Sequence, residues 1–272
     1  MILHPLKRDN IALAATIVLV RNSDRGLELY LTERPGRVDF PALHVFPGGK
    51  VSAADDRFAE RLHAGDRSLV FDRHPPAETD ALLGEALSLR YWLAVVRELF
   101  EEVGVLLALK TVEGSAPRPL DAADVDRLSR FRQALDADEL ALDTFCREQG
   151  LRLTLDAVHY FSHWLTPAAA PRRFDTRFFV AELPTGQQPA PDAREVVAAT
   201  WATPAQALAE HAAGNWQMIG PTLETLRSVE CFRNTHELFA SVADGTHLPE
   251  LSDALRREGM AEPHAASRAD GR

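Results

Sequence analysis

Three glutamates in one short segment have the residue type and the spacing that suit metal binding. Glu98, Glu101 and Glu102 stand at positions i, i+3 and i+4, so in a helix their carboxylates share one face. Like charges at this spacing disfavour a helix by about 0.2–0.5 kcal/mol per pair, and a hard divalent cation such as Mg²⁺, which takes oxygen ligands, would reverse that penalty. The adjacent Arg97 could hold one carboxylate in a bidentate contact. The alternative is a solvated acidic helix face, with Arg97 and Glu101 as an ordinary i,i+4 ion pair.

The glutamates fall at the end of a helix predicted over residues 79–103. Its apolar residues recur with helical spacing at Trp92, Val95, Val96, Leu99 and Val103. Gly104 stands where helices commonly end. The strongly apolar edge opposite the glutamates and the Gly48-Gly49 turn upstream favour a built site over a solvated face.

The whole pattern resembles the Nudix box, a loop–helix–loop motif of a hydrolase family. Gly49, the five residues after it and Asp55 correspond to the first half of the motif. Residues 97–105, Arg-Glu-Leu-Phe-Glu-Glu-Val-Gly-Val, correspond to every position of the second half.

Two features depart from the family pattern. The first acid is Asp55, or its neighbour Asp56, where the family usually has glutamate. The spacer between the two halves is 41 residues, 56–96, where the family has seven. Residues 50–78 are polar and interrupted by glycine and proline, so we interpret them as an insertion outside the core. We expect residues from about 57 to 78 to loop away from the helix and to leave Asp55 beside Gly49.

The resemblance implies an α/β (α+β) fold, a Nudix-type α/β/α sandwich with a mixed sheet and with inserted and C-terminal helices. It also implies Glu98, Glu101 and Glu102 as ligands of Mg²⁺ (or Mn²⁺), with Arg97 orienting the carboxylates. A metal bound there polarises a diphosphate and lowers the pKa of the water that attacks phosphorus. A nearby carboxylate then serves as general base. Glu98 and Glu195, which lies outside the motif, are both candidates for that base.

Other segments resemble the branch of the family that includes the mammalian peroxisomal coenzyme A diphosphatase. These are residues 44–49, 164–167 and 172–179. The expected partner is therefore a small-molecule nucleoside diphosphate derivative, with coenzyme A or acyl-CoA first and NADH or ADP-ribose second. The substrate-binding candidates are Gly48, Gly49 and the arginines able to clamp phosphate, namely Arg34, Arg37, Arg172 and Arg173. His44, Trp164 and Trp201 are predicted to be packed residues.

The elements around the motif alternate irregularly, which suggests a mixed sheet with helices on its faces. Strands are predicted at residues 11–20, 27–34, 44–46, 157–165, 174–183 and 196–201. Further helices are predicted within 121–150, from Thr203-Pro204 to about 214, and near 222–229 and 236–242. We expect one domain over residues 1–259, with insertions at about 56–90 and 120–150, and a disordered tail at 260–272.

Composition narrows the class of protein. The chain has 272 residues, is 46% hydrophobic and carries a net charge of −10, which argues against a nucleic-acid binder. The apolar run at 11–20 is too short to span a membrane. Two cysteines, Cys146 and Cys231, without metal-ligand spacing, suit a reducing cytoplasm.

Two rival functions share this fold. An isopentenyl-diphosphate isomerase needs a cysteine beside the metal site, and both cysteines lie outside the motif. A ligand-sensing domain tends to lose the motif carboxylates, whereas Arg97, Glu98, Glu101 and Glu102 are all present here.

Overall fold

The computed structural model describes residues 11–34, 43–70, 85–112, 114–166, 170 and 172–245. The strands in this part are β1 (Ile11–Ser23), β2 (Gly26–Glu33), β3 (His44–Val45), β4 (Gly48–Lys50), β5 (Ala108–Lys110), β6 (Arg118–Pro119), β7 (Leu151–Leu153), β8 (His159–Leu165), β9 (Arg173–Glu182) and β10 (Ala198–Ala202). The α-helices are α1 (Ala53–His63), α2 (Glu85–Val103), α3 (Ala122–Ser129), α4 (Arg132–Asp136), α5 (Leu142–Gln149), α6 (Pro204–Ala212), α7 (Gly220–Val229) and α8 (Thr235–Asp244).

A long β-hairpin forms the middle of the main sheet. β1 and β2 pair antiparallel around a turn that places Ser23 opposite Gly26. Ile17 and Leu19 are buried in the core on one face of β1, and Val18 and Val20 in the core on the other. Burial on both faces explains why β1 is a continuous apolar run and does not alternate with polar residues.

The main sheet is mixed, as the sequence predicts. Its strand order is β10-β2-β1-β9-β8, with β3 paired to β2 and β4 paired to β1. β1 and β9 are parallel, from Ile11 opposite Arg173 to Val20 opposite Glu182, and the other pairs are antiparallel. β5, β6 and β7 form a separate three-stranded sheet. The short β4 brings the Gly48-Gly49 turn against the centre of the main sheet.

Helices cover both faces of the main sheet. One core contains residues of β1, α1, α2 and α5, and the other contains residues of β1, β2, β8, β9 and of α6, α7 and α8. The arrangement is the expected α/β/α sandwich. No helix in the described ranges is long and apolar enough to cross a membrane.

The interpretation of residues 50–78 as an insertion outside the core is wrong for α1. This helix packs along α2, and its Phe58, Ala59 and Leu62 are buried. It begins at a capping box in which Ser52 and Asp55 exchange hydrogen bonds. Because these apolar residues are few among charged ones, the segment resembles a polar loop. Residues 57–63 therefore do not loop away from α2, and residues 71–78 lie outside the described ranges.

The segment predicted as a helical insertion, about 120–150, also belongs to the core. It forms α3, α4 and α5, and Phe145 of α5 is buried against Phe100 of α2 with ring centroids 5.6 Å apart. α2 ends at Val103 as predicted, and residues 79–84 of the predicted helix lie outside the described ranges. α6 begins as predicted, since the Thr203 side chain accepts a hydrogen bond from the Gln206 N–H at 3.2 Å. The tail at 260–272 also lies outside the described ranges.

Candidate active site

The last turns of α2 form one wall of a cavity of about 470 Å³. The β4 turn, the end of α4 and the loop between β9 and β10 form its other walls. The cavity is lined by Arg34, Gly48, Gly49, Lys50, Val51, Ser52, Arg97, Glu98, Glu101, Glu102, Asp136, Asp138, Arg194 and Glu195. Six of these side chains are acidic and four are basic, so the cavity carries an excess of negative charge.

Arg97 lines the cavity and binds several carboxylates at once. Its buried guanidinium donates to Asp55 from Nε at 3.2 Å and from Nη2 at 3.0 Å. Nη1 donates to Glu101 Oε2 at 2.7 Å and lies 3.0 Å from Glu98 Oε1. Nη2 also donates to the carbonyl of Lys50 at 2.8 Å. Arg97 therefore orients carboxylates, and Asp55, although 42 residues away, keeps a place beside it.

The Gly48-Gly49 turn lies directly against two of the glutamates. The Gly48 N–H donates to Glu102 Oε2 at 3.0 Å. A Cβ atom on residue 49 would lie 2.4 Å from the Glu98 carboxyl group, a distance that real Cβ atoms do not tolerate. Glycine at 49 therefore leaves the space that the Glu98 carboxylate occupies.

Burial makes this carboxylate cluster electrostatically unfavourable without a further cation. It raises the pKa of Glu101 to about 8, with nearby acidic charges adding to the effect and Arg97 opposing it. Burial also raises the pKa of Glu98, and raises that of Glu102 well above its ordinary value, where the charge of Glu98 contributes. One guanidinium is shared by too many carboxylates to neutralise them.

The donor set fits a hard divalent cation. Glu101 Oε1 is buried and has no hydrogen-bond partner, which leaves an oxygen lone pair directed at no protein donor. Within the described ranges no three His, Cys, Asp or Glu side chains already surround one point as metal ligands. The available donors are all oxygens, which suits Mg²⁺ or Mn²⁺.

Glu195 lines the same cavity as the glutamates, and its charge interacts with those of Glu98 and Glu102. Burial raises its pKa to about 7, and the negative charge of Asp136, with which it shares a hydrogen bond, adds to the effect. A carboxyl group with a pKa near neutrality can take up and release a proton at working pH. Glu195 is one of the two candidate bases of the sequence analysis, and the structure places it in the cavity.

The predicted arginines separate into two groups. Arg34 lines the cavity, whereas Arg172 and Arg173 are not among its lining residues. Arg173 Nε donates to the carbonyl of Thr166 at 3.2 Å. Arg37 lies outside the described ranges.

Four charged lining residues were missed by sequence reasoning: Lys50, Asp136, Asp138 and Arg194. Lys50 follows the glycine turn directly, and this adjacency was the available signal. The other three lie in segments without any local pattern that points to the motif.

The residues that the sequence predicts to be packed do not line the cavity. His44 stacks on Trp216 with ring centroids 4.5 Å apart, and Trp164 is buried with Nε1 donating to Ser162 Oγ at 3.0 Å. Trp201 is half-buried under the Arg21 guanidinium. Neither cysteine lines the cavity: Cys146 is buried in the core and Cys231 is exposed.

Comparison with known proteins agrees with this geometry. The family model described as the NUDT19 Nudix domain matches residues 9–228. The chain is 31% identical over 208 residues to the acyl-coenzyme A diphosphatase NUDT19 of Gallus gallus, covering 66% of this chain and 55% of that protein. The corresponding human protein is 32% identical over 208 residues, covering 67% and 55%. The chain thus spans about half the length of the curated relatives it matches.

A solved structure supports the same assignment. The crystal structure of a NUDIX hydrolase from Alicyclobacillus acidocaldarius matches with a TM-score of 0.67 and 26% identity, covering 85% of this chain and 96% of that one. The sandwich fold, the motif glutamates around the cavity and the match over most of the chain lead to one conclusion. The chain belongs to the Nudix family, within the group described by the NUDT19 Nudix domain.

Proposed function

We propose that this protein is a Nudix diphosphohydrolase that depends on Mg²⁺ or Mn²⁺. Its reaction adds water across a diphosphate bond of a nucleoside diphosphate linked to another group. The observation that carries the proposal is the cluster of Glu98, Glu101 and Glu102 on one face of α2, in which Glu101 is buried and the other two are partly buried, with more negative charge than Arg97 neutralises. The comparisons support diphosphate hydrolysis as the reaction class.

Glu98, Glu101 and Glu102 are the residues that would hold the cation. When bound, the cation supplies positive charge to the diphosphate and lowers the pKa of the attacking water. Arg97 keeps the carboxylates in place through its contacts with Asp55 and Glu101. Glu195, whose pKa is raised to about 7, accepts the proton of the attacking water, and Glu98 is the alternative base.

The proposed substrate is coenzyme A or an acyl-CoA. The avian and human relatives are named acyl-coenzyme A diphosphatases. Coenzyme A carries its diphosphate between a 3′-phosphorylated adenosine and phosphopantetheine, so hydrolysis yields 3′,5′-ADP and 4′-phosphopantetheine. Arg34, Lys50 and Arg194 line the cavity and are suitable partners for the additional phosphate. NADH and ADP-ribose, which lack that phosphate, are the second choice.

The test of the reaction compares glutamate variants with a matched control. Glu101→Gln and Glu102→Gln should each lower kcat by orders of magnitude while thermal melting barely changes, since burial already disfavours the charged form of both carboxyl groups. Glu148→Gln, an exposed glutamate on α5 outside the cavity, should behave as wild type. Hydrolysis should stop with a chelator and return with Mg²⁺ or Mn²⁺. Full activity in both cavity variants would contradict the assignment.

The test of the substrate is a panel with mass-spectrometric identification of products. It compares kcat/KM for CoA, an acyl-CoA, dephospho-CoA, NADH and ADP-ribose. Far better turnover of NADH or ADP-ribose than of CoA would contradict the CoA proposal and leave the diphosphohydrolase proposal standing.

A further inference from the structure

We propose that Arg132 is a positioning residue that fixes the Glu195 loop against the end of α2. The loop in question is residues 183–197, between β9 and β10. Arg132 is the first residue of α4, in the segment that the sequence predicts as an insertion. The inference rests on the proposed function in one respect, that Glu195 takes part in hydrolysis.

Arg132 joins the backbone at the end of α2 to the backbone of the Glu195 loop. Its side chain is buried, and Nε and Nη2 both donate to the carbonyl of Glu101, at 3.0 and 2.8 Å. Nη1 donates to the carbonyl of Ala190 at 2.8 Å. One planar guanidinium therefore spans the last turn of α2 and the Glu195 loop, with three hydrogen bonds of fixed relative direction.

Arg132 lies where the backbone carbonyl groups at the end of α2 require hydrogen-bond donors. The last carbonyls of an α-helix have no partner within the helix. Here Arg132 donates to the backbone carbonyl of Glu101. The Asp192 N–H donates to the carbonyl of Glu102 at 2.8 Å, and the Ala190 N–H donates to the carbonyl of Val103 at 2.7 Å. A cation at this end of a helix is also favourable to the helix dipole. The loop and Arg132 together form the C-terminal cap of the glutamate-bearing helix.

The motif glycine after α2 makes room for this cap. Gly104 has φ +70°, in the left-handed region. A Cβ atom there would lie 3.1 Å from Arg132 Nη1 and 3.3 Å from the carbonyl oxygen of Ala190. Any side chain at 104 would therefore press on the two atoms that form the Arg132–loop hydrogen bond.

The same short helix reaches the acid that the loop carries. Asp136 is one turn after Arg132 on α4 and shares a hydrogen bond with Glu195. α4 thus meets the loop at two points: Arg132 donates to the backbone carbonyl of Ala190, and Asp136 lies beside the Glu195 side chain. A shift of the loop would move Glu195 relative to the glutamates of α2, which stay fixed on their helix.

Arg132→Lys is the variant that separates charge from geometry. Lysine keeps the positive charge at the end of α2, but it cannot donate to Glu101 and Ala190 with the spacing of the guanidinium fork. We expect kcat to fall by about tenfold to a hundredfold, because a misplacement near 1 Å has effects of that size, while KM stays within about twofold. Arg152→Lys is the matched control, since Arg152 also donates Nε and Nη2 to one backbone carbonyl, that of Val70, away from the cavity. This control should keep the wild-type kcat.

A double-mutant cycle with Glu195→Gln identifies the group through which Arg132 acts. If Arg132 positions Glu195, Arg132→Lys should lower kcat in the wild-type background and have little further effect in the Glu195→Gln background. Equal fold-losses in both backgrounds would overturn the inference, as would wild-type kcat in Arg132→Lys. Wild-type activity of Glu195→Gln would also overturn it, while leaving metal-dependent hydrolysis intact.

Amide hydrogen exchange tests whether Arg132 fixes the Glu195 loop, and this measurement does not depend on activity. In Arg132→Lys the amides of Ala190 and Asp192 should exchange faster than in the wild type and in Arg152→Lys, with the amides of α5 unchanged. Unchanged exchange at both loop amides would overturn the inference even if hydrolysis is lost. Faster exchange at both would support it even if the proposed substrate is wrong.

Discussion

Asp55→Asn is the substitution that most directly tests the role of the Arg97 clamp. Asp55 is 1% exposed and accepts from Arg97 Nε and Nη2. It also accepts from the Ser52 N–H at 2.8 Å to complete the cap of α1. Asparagine keeps the size of the side chain and removes its charge, so Arg97 loses one of its carboxylate partners while Glu98 and Glu101 remain.

The expected loss of stability follows from these contacts. Breaking a buried ion pair by removing one partner costs about 3–5 kcal/mol when the remaining charge is left unpaired. Arg97 is not left unpaired here, so the loss is nearer that of one or two charged hydrogen bonds, about 2–4 kcal/mol. For a chain of this size the melting temperature should fall by about 5–15 °C. Arg97 then pairs more closely with Glu98 and Glu101, and kcat should fall by about tenfold or more because the proposed ligands are redirected.

Asp124→Asn provides the matched control. Asp124 is also a buried acid at the third position of a capping box, that of α3, and it pairs with Arg118 at 2.6 Å and with Arg127. It does not line the cavity. Both variants should melt at lower temperature than the wild type, and only Asp55→Asn should lose activity at a temperature where both are folded. Equal kcat values in the two variants would refute the assignment of Asp55 to the clamp.

Three further predictions concern the cavity. The metal-free protein should lose stability from about pH 5 to about pH 8. The folded pKa of Glu101, about 8, lies above its ordinary value of 4.5, so over this range the folded state keeps a proton that the unfolded state has released. Melting curves with a chelator that show rising stability over this range would contradict the prediction, and Mg²⁺ should flatten the pH dependence. Gly49→Ala should lower kcat by about tenfold or more, since the added Cβ would lie 2.4 Å from the Glu98 carboxyl; steady-state kinetics with wild-type kcat would disprove this contact. Lys50→Met and Arg194→Met should raise KM for CoA more than KM for dephospho-CoA. The ratio of the two changes should correspond to about 1.5–3 kcal/mol of binding free energy, the contribution of one charged hydrogen bond. Equal changes for both substrates would place the 3′-phosphate elsewhere.

The sequence by itself determined the features that depend on local period. The spacing of Glu98, Glu101 and Glu102 placed three carboxylates on one face of α2, and the apolar run at residues 11–20 indicated a strand. The cap at Thr203 and the end of α2 before Gly104 were predicted for the same reason. Each of these signals lies within one or two turns of helix or one strand, where the backbone geometry alone decides which side chains are neighbours.

Only the tertiary structure decided which distant residues meet the glutamates. Asp55 reaches Arg97 across 42 residues because α1 is a helix of the core. The mostly polar sequence of α1 predicts a loop instead. Arg132, Asp136 and Glu195 come together because α4 and the loop before β10 both pack at the end of α2, and no local pattern records that contact. The carbonyls at that helix end and the buried negative charge in the cavity need partners. The fold supplies those partners from segments that the sequence predicts only as an insertion and an ordinary loop.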